Sequence, residues 1–152
     1  MIHIIEGDLF TTNADVICHQ VNCQGVMDSG VAKQVKKKYP KAYEKYKAMC
    51  DDYWCSDEEN LLLGIAQIVK IDNKNIANLC CQFDYGYNGV RYTDYEAVYK
   101  AFTRLNENCP QDFTFAFPYH FGCDRGGADW DIILKMMEVV FKDREVFIYK
   151  LK

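Results

Sequence analysis

Six short runs rich in Ile, Val and Phe, most of them separated by stretches of helical periodicity, govern how this chain can fold. They are IHII (2–5), VICHQV (16–21), GIAQIVKI (64–71), NIANLCC (75–81), FTFAF (113–117) and EVFIYKL (145–151). Several are apolar almost throughout, which suits strands covered on both faces rather than one. Helical spacing appears over 30–50, with Val31, Val35, Tyr39, Ala42, Tyr43 and Tyr46 on one side and Pro40 interrupting. Thr93-x-x-Glu96 reads as a capping box opening a helix that reaches Cys109 at most. A last helix is predicted over 130–142, with Ile132, Ile133, Met136, Met137, Val140 and Phe141 to one side. Alternating strands and helices imply a sheet sandwiched between helices, and the hairpin expected at Asp72-Asn73-Lys74 makes the sheet mixed. The predicted class is α/β, three layers (α/β/α) around a central mixed sheet. With no repeat, linker or low-complexity tract, residues 1–152 read as one domain.

A chain of 152 residues can bury a core without disulfides or metal. Basic and acidic groups number 18 and 22, net −4, which argues against a role driven by nucleic-acid backbone electrostatics. MIHIIEGD reaches an acid at its sixth residue, unlike a secretory signal, and no apolar run approaches membrane-spanning length. The expected setting is cytoplasmic, with no membrane partner. The eight cysteines contain no C-x-x-C pair, and only His3, His19 and His120 could join them as ligands. Reduced thiols packed as small hydrophobes are expected, with no metal and no cofactor.

In such folds ligands gather beyond the carboxyl ends of strands, where loops enter helices. Two loops qualify: VNCQGVMDSGVAKQV (21–35) and FPYHFGCDRGGADW (117–130). Their glycines permit close approach of backbone to a ligand, and the following helix N-termini offer unpaired N–H groups to anions. Two such loops facing one cleft would suit a diphosphate. Neither is a Walker A loop, and no G-x-G-x-x-G occurs.

Taken in order, EGDLF (6–10), ADVICHQVNCQGVMDSGVA (14–32), YGYNGVRYTDYEA (85–97) and the 117–130 loop resemble the macrodomain family, the ADP-ribose-binding fold. The similarity is to the bacterial and phage branch that includes hydrolases of terminal ADP-ribose. That resemblance implies a role for each matched position. Asp8, with Leu9 beside it, would accept from the adenine amino group, and Asn22 would serve the distal ribose. Gly25, Gly30 and Val31 would line that ribose, while Gly122, Cys123, Asp124, Arg125, Gly126 and Gly127 would surround the diphosphate. Cys123 is expected to pack rather than react. An aromatic between Phe83 and Tyr92 would cover the adenine or the distal ribose.

Departures from the branch decide what chemistry to expect. Asp28, His120, Asp124 and Ala128 stand where glycine is usual. Should any of these sites require positive φ, the loop must shift or strain. Two acids would also lie near a dianion, with Arg125 as a partial offset. The branch's hydrolytic lysine falls at Gln82, and no lysine occurs between Lys74 and Lys100, so a lysine-adduct mechanism is not expected. Its acid falls on or near Gly126. Asn22, Asp28 and His120 remain as catalytic candidates, the first orienting ribose and the others activating water. The expectation is a monomeric ADP-ribose-binding macrodomain, with hydrolysis of ADP-ribosyl esters, O-acetyl-ADP-ribose or ADP-ribose 1''-phosphate as its candidate activity. ADP-ribosylated protein or nucleic acid would be its partner. The alternatives are a non-catalytic reader and a degenerate member binding another nucleotide.

Overall fold

The structure, a computed structural model, describes residues 1–151. Its strands are β1 (Ile2–Glu6), β2 (Val16–Val21), β3 (Ala66–Ile71), β4 (Lys74–Cys80), β5 (Phe115–Pro118) and β6 (Val146–Lys150). They form one sheet in the order β1-β6-β5-β2-β4-β3, parallel except for β3, which runs antiparallel to β4 at one edge. The Asp72-Asn73-Lys74 hairpin makes that exception, and Asp72 takes φ 54° in its turn.

Strand alternation sends neighbouring side chains to opposite layers. Val16 and Cys18 of β2 enter one core, whereas Ile17 and Val21 enter the other. Helices α1 (Gly30–Lys38) and α2 (Pro40–Cys55) cover the Ile17 face through Val35, Ala42 and Tyr46. Helices α3 (Tyr95–Asn108) and α4 (Trp130–Val140) cover the other face. There Phe102 sits among Phe117, Phe121 and Phe141, with ring centroids 5.2–5.5 Å away. Tilted and edge-to-face aromatic contacts of this kind add to the burial they accompany. The mixed, three-layer sheet is as expected.

Two helix boundaries differ from expectation. The pattern over 30–50 is two helices, because Pro40 lacks the N–H that a continuous helix needs and instead opens α2. Helix α2 then continues to Cys55, beyond the expected end, where Trp54 anchors its last turn by donating to the Cys23 carbonyl at 2.8 Å. Thr93 is not the cap of α3. Asp94 is, its carboxylate accepting from Ala97 N at 3.1 Å, while Thr93 is buried and donates to the Gly122 carbonyl at 2.7 Å. Asp94→Ala should therefore cost about 1 kcal/mol of stability, read as a lower urea midpoint at unchanged slope. All eight cysteines are free thiols. No helix among the described residues is long and apolar enough to cross a membrane.

Candidate functional site

Strand β2 lies between β5 and β4, and all three are parallel, so their carboxyl ends at Val21, Cys80 and Pro118 share one edge. The chain leaving β2 goes to the α1–α2 face and the chain leaving β4 goes to the α3 face, which opens a crevice between them. A cleft of about 250 Å³ occupies it, walled by residues 28–32, 85–87 and 118–126, with Gln20, Asn22 and Gln82 among the others. The two loops singled out in the sequence do face each other, and the 85–87 segment is a third wall.

The first loop is built around Asn22. Its Oδ1 accepts from Gln24 N at 2.9 Å, and its amide donates to the Val26 carbonyl at 2.9 Å. The phenol oxygen of Tyr46 lies 2.7 Å from that Oδ1 and 2.8 Å from the Asn22 carbonyl, and accepts from Gly25 N and Val26 N at 3.1 and 3.2 Å. Tyr46 is fully buried, and burial holds its phenol protonated far above the usual range. Much of the Asn22 amide is thus spent on the loop, although it still lines the cleft. Tyr46 looked like one more apolar helix position in the sequence, and only its hydroxyl hinted at more. Tyr46→Phe would leave buried N–H groups without an acceptor and should cost about 1–3 kcal/mol, with weaker ligand binding from a loosened loop. Paired urea and ligand titrations of the variant check both effects.

Below the loops, amides and a hydroxyl form the floor. Gln20 Nε2 donates to Gln82 Oε1 at 2.5 Å and to Thr93 Oγ1 at 2.9 Å, and Gln82 in turn donates to the Asp84 carbonyl at 2.8 Å. Gln20 Oε1 is buried without a partner among the described residues. Gln20 and Thr93 were not anticipated as site residues. Gln82 lies at the cleft, and none of the residues lining it is a lysine.

Gly126 sits against this floor. A Cβ there would meet the Gly122 carbonyl at 2.5 Å, Gln20 Nε2 at 2.9 Å and, closer still, Thr93 Oγ1. No acidic side chain could occupy that position without moving the floor. His120 adopts φ 61°, a left-handed conformation that favours glycine. Its ring stacks on Tyr119 with centroids 4.0 Å apart, and its Nδ1 lies 3.8 Å from the Asp124 carboxylate. Cys123 is half-buried, and burial first, then Asp124, pushes its thiol up to about 11, so it is no ready nucleophile. The Arg125 guanidinium lies 4.1 Å from the Tyr87 ring centroid, joining two walls at the rim.

Helix α1 opens directly into the cleft. Ser29 occupies its N-cap position without a side-chain capping bond, and Gly30, Val31 and Ala32 line the cavity. The first N–H groups of a helix have no intrahelical acceptor and carry the positive end of its dipole. Asp28, with a side chain 70% exposed, lies 3.6 Å from Lys36 and lines the cleft at its rim.

Four expected site residues stand outside the lining. Asp8 is exposed beyond the end of β1, its Oδ1 accepting from Phe10 N at 2.9 Å, and Leu9 is buried in the α1–α2 core. Gly25 packs against the Lys47 side chain, and Gly127 against Arg91. Among the described residues no group of three or more His, Cys, Asp or Glu is placed to hold a metal ion.

No protein-family profile matches the chain. The macrodomain of Mycobacterium tuberculosis DarG superposes with a TM-score of 0.76 at 25% identity, over 98% of this chain and 97% of that one. This chain folds as a macrodomain. Thermosipho africanus DarTG in complex with ADP-ribose superposes with a TM-score of 0.81 at 20% identity, over 98% of this macrodomain and 41% of that chain. A curated relative, the ADP-ribose 1''-phosphate phosphatase of Candida albicans, is 31% identical over 93 residues, covering 58% of this chain and 55% of its own length. The macrodomain spans about half the length of the Scheffersomyces, Candida and Saccharomyces phosphatases it matches.

Proposed function

We propose that this macrodomain binds ADP-ribose, with the distal ribose between the 22–31 and 118–126 loops and the diphosphate across the start of α1. The observation that carries this reading is the uncapped α1 N-terminus opening into the cleft opposite Gly122 and Gly126. Backbone N–H groups at a helix start suit a diphosphate without needing a lysine or a metal. Asp8 supports an elongated ligand. It follows β1, which lies three strand intervals from β2 along the same sheet edge, about 14 Å at ordinary strand spacing. A carboxylate there would select an exocyclic amine, and its Oδ2 is not used by Phe10. The solved complex of a like-folded chain with ADP-ribose points the same way.

Hydrolysis of an ADP-ribose derivative is the second reading, favoured by Asp28 at the rim beside the helix start. A carboxylate there can take a proton from water attacking a phosphoryl or acyl group on the distal ribose. Isothermal titration with ADP-ribose, with AMP as comparison, tests the first reading; binding that does not depend on the distal ribose would overturn it. Release of inorganic phosphate from ADP-ribose 1''-phosphate, lost in Asp28→Asn but with ADP-ribose affinity kept, would support turnover.

A further inference from the structure

We propose that the outer side of α4 is a dimer interface, packing antiparallel on α4 of a second copy of this chain about a two-fold axis. The apolar arc of α4 is wider than its core needs. Ile133 and Met137 are buried, but Ile132 is 39% exposed and Val139 55%, and Tyr99 of α3 beside them is 50% exposed. With Met136, Asp131 and Lys135 they line a groove of about 430 Å³ between α3 and α4. A helix whose outer side meets only water carries polar residues at such positions.

The charges beside the groove say what covers it. Asp131, Lys135 and Glu138 recur at spacings of four and three, each one residue before Ile132, Met136 and Val139, so a charged row runs alongside the apolar one. Lys142 continues the row two residues past the helix end. All four are exposed, and none is in an ion pair among the described residues. The row reads acid, base, acid, base, so its reverse reads base, acid, base, acid. A two-fold axis just past Met136 sets Lys135 against Glu138 of the second copy and Asp131 against its Lys142, each pair occurring twice. The same register brings each Val139 level with the gap between Ile132 and Met136 of the other copy, a knob for the groove. One register thus satisfies both rows. The two acids and two bases cancel in a chain of net −4, so two copies can meet here without the repulsion they carry elsewhere.

The interface leaves the clefts open. The 118–126 wall lies just before α4, so antiparallel α4 helices put the two clefts toward opposite ends of the dimer. The proposal does not rest on the ADP-ribose reading, and it replaces the monomer expected from the sequence. Exposed ion pairs around one small apolar seam make the association weak.

Sedimentation equilibrium of the full chain from about 10 μM to about 1 mM is the test. The weight-average mass should rise from 17.7 kDa toward twice that, with a Kd of order 100 μM. Val139→Arg should weaken association about tenfold or more. Lys135→Glu and Glu138→Lys, each of which opposes like charges twice per dimer, should weaken it about tenfold. An equimolar mixture of those two variants should associate about as well as the wild type, because the acids of one then meet the lysines of the other. All three substitutions are exposed and should leave the urea midpoint where it is. A mixture that associates no better than its components would overturn the register and the proposal with it. So would a dimer that survives Val139→Arg, or a wild type that stays monomeric throughout, which would leave the groove to a different partner.

Discussion

Gly126→Ala should destabilise the macrodomain by about 3 kcal/mol and weaken ligand binding at the cleft by about tenfold or more. The substitution is severe because the obstacle is not a movable side-chain tip. The added carbon would meet the Gly122 carbonyl at 2.5 Å, and that oxygen already accepts from Thr93 Oγ1 and from Ala128 N at 3.0 Å. The Gly126 carbonyl is held in turn by Tyr92 N and Thr93 N at 2.8 and 2.9 Å. Relief in any direction breaks a bond that ties the 118–126 wall to the floor. Gly89→Ala is the comparison, since a Cβ there meets nothing within 4 Å and only the φ of 78° is unfavourable. That variant should lose about 1 kcal/mol and keep its ligand affinity. Urea unfolding and ligand titration of the two proteins measure both quantities. Similar losses in both would mean that backbone conformation, not close packing at the floor, governs this loop.

Stability should also fall by about 3 kcal/mol as the pH is lowered from 6.5 to 4, and His19 should account for most of it. His19 is fully buried on β2, and burial holds its imidazole down to about 4 against an ordinary 6.5, with the Asn78 bond only partly opposing. Its Nε2 lies 2.6 Å from Asn78 Oδ1, whose amide donates to the Ala42 carbonyl and to Gln67 Oε1, so Nε2 carries the proton. Nδ1 is buried with no partner among the described residues, and protonating it would place a charged donor in the core without an acceptor. Because the folded value is depressed, the contribution is whole above the unfolded value and is lost as pH falls toward the folded one. Urea midpoints at intervals between pH 7 and pH 4 give the slope, and His19→Gln should flatten it whatever its own stability. A variant with the wild-type slope would remove His19 as the cause.

The loops were legible because glycine and strand-end signals are local. The residues that hold those loops were not, because their partners are distant in the chain. The family resemblance implies a ribose-binding role for Asn22, yet its amide is committed to Val26 and Tyr46. Nothing in residues 21–35 points to a phenol on the next helix but one. Thr93-x-x-Glu96 is a sound capping pattern on its own, and it failed because the Gly122 carbonyl, 29 residues away, takes the hydroxyl that would have capped. Asp94 was then free to do so. His120 was recognised as standing where glycine is usual, and the structure meets that with a left-handed histidine stacked on Tyr119.

Apolar runs, helical periodicity and the Asp72-Asn73-Lys74 turn determined the strands, the helical layers and the mixed sheet, since each signal lies among neighbouring residues. Residue identity alone likewise determined that no lysine lies between Lys74 and Lys100. Only the tertiary structure decided that Gln20 faces the cleft floor while the adjacent His19 is sealed in the core, because one pleat separates opposite layers of the sheet.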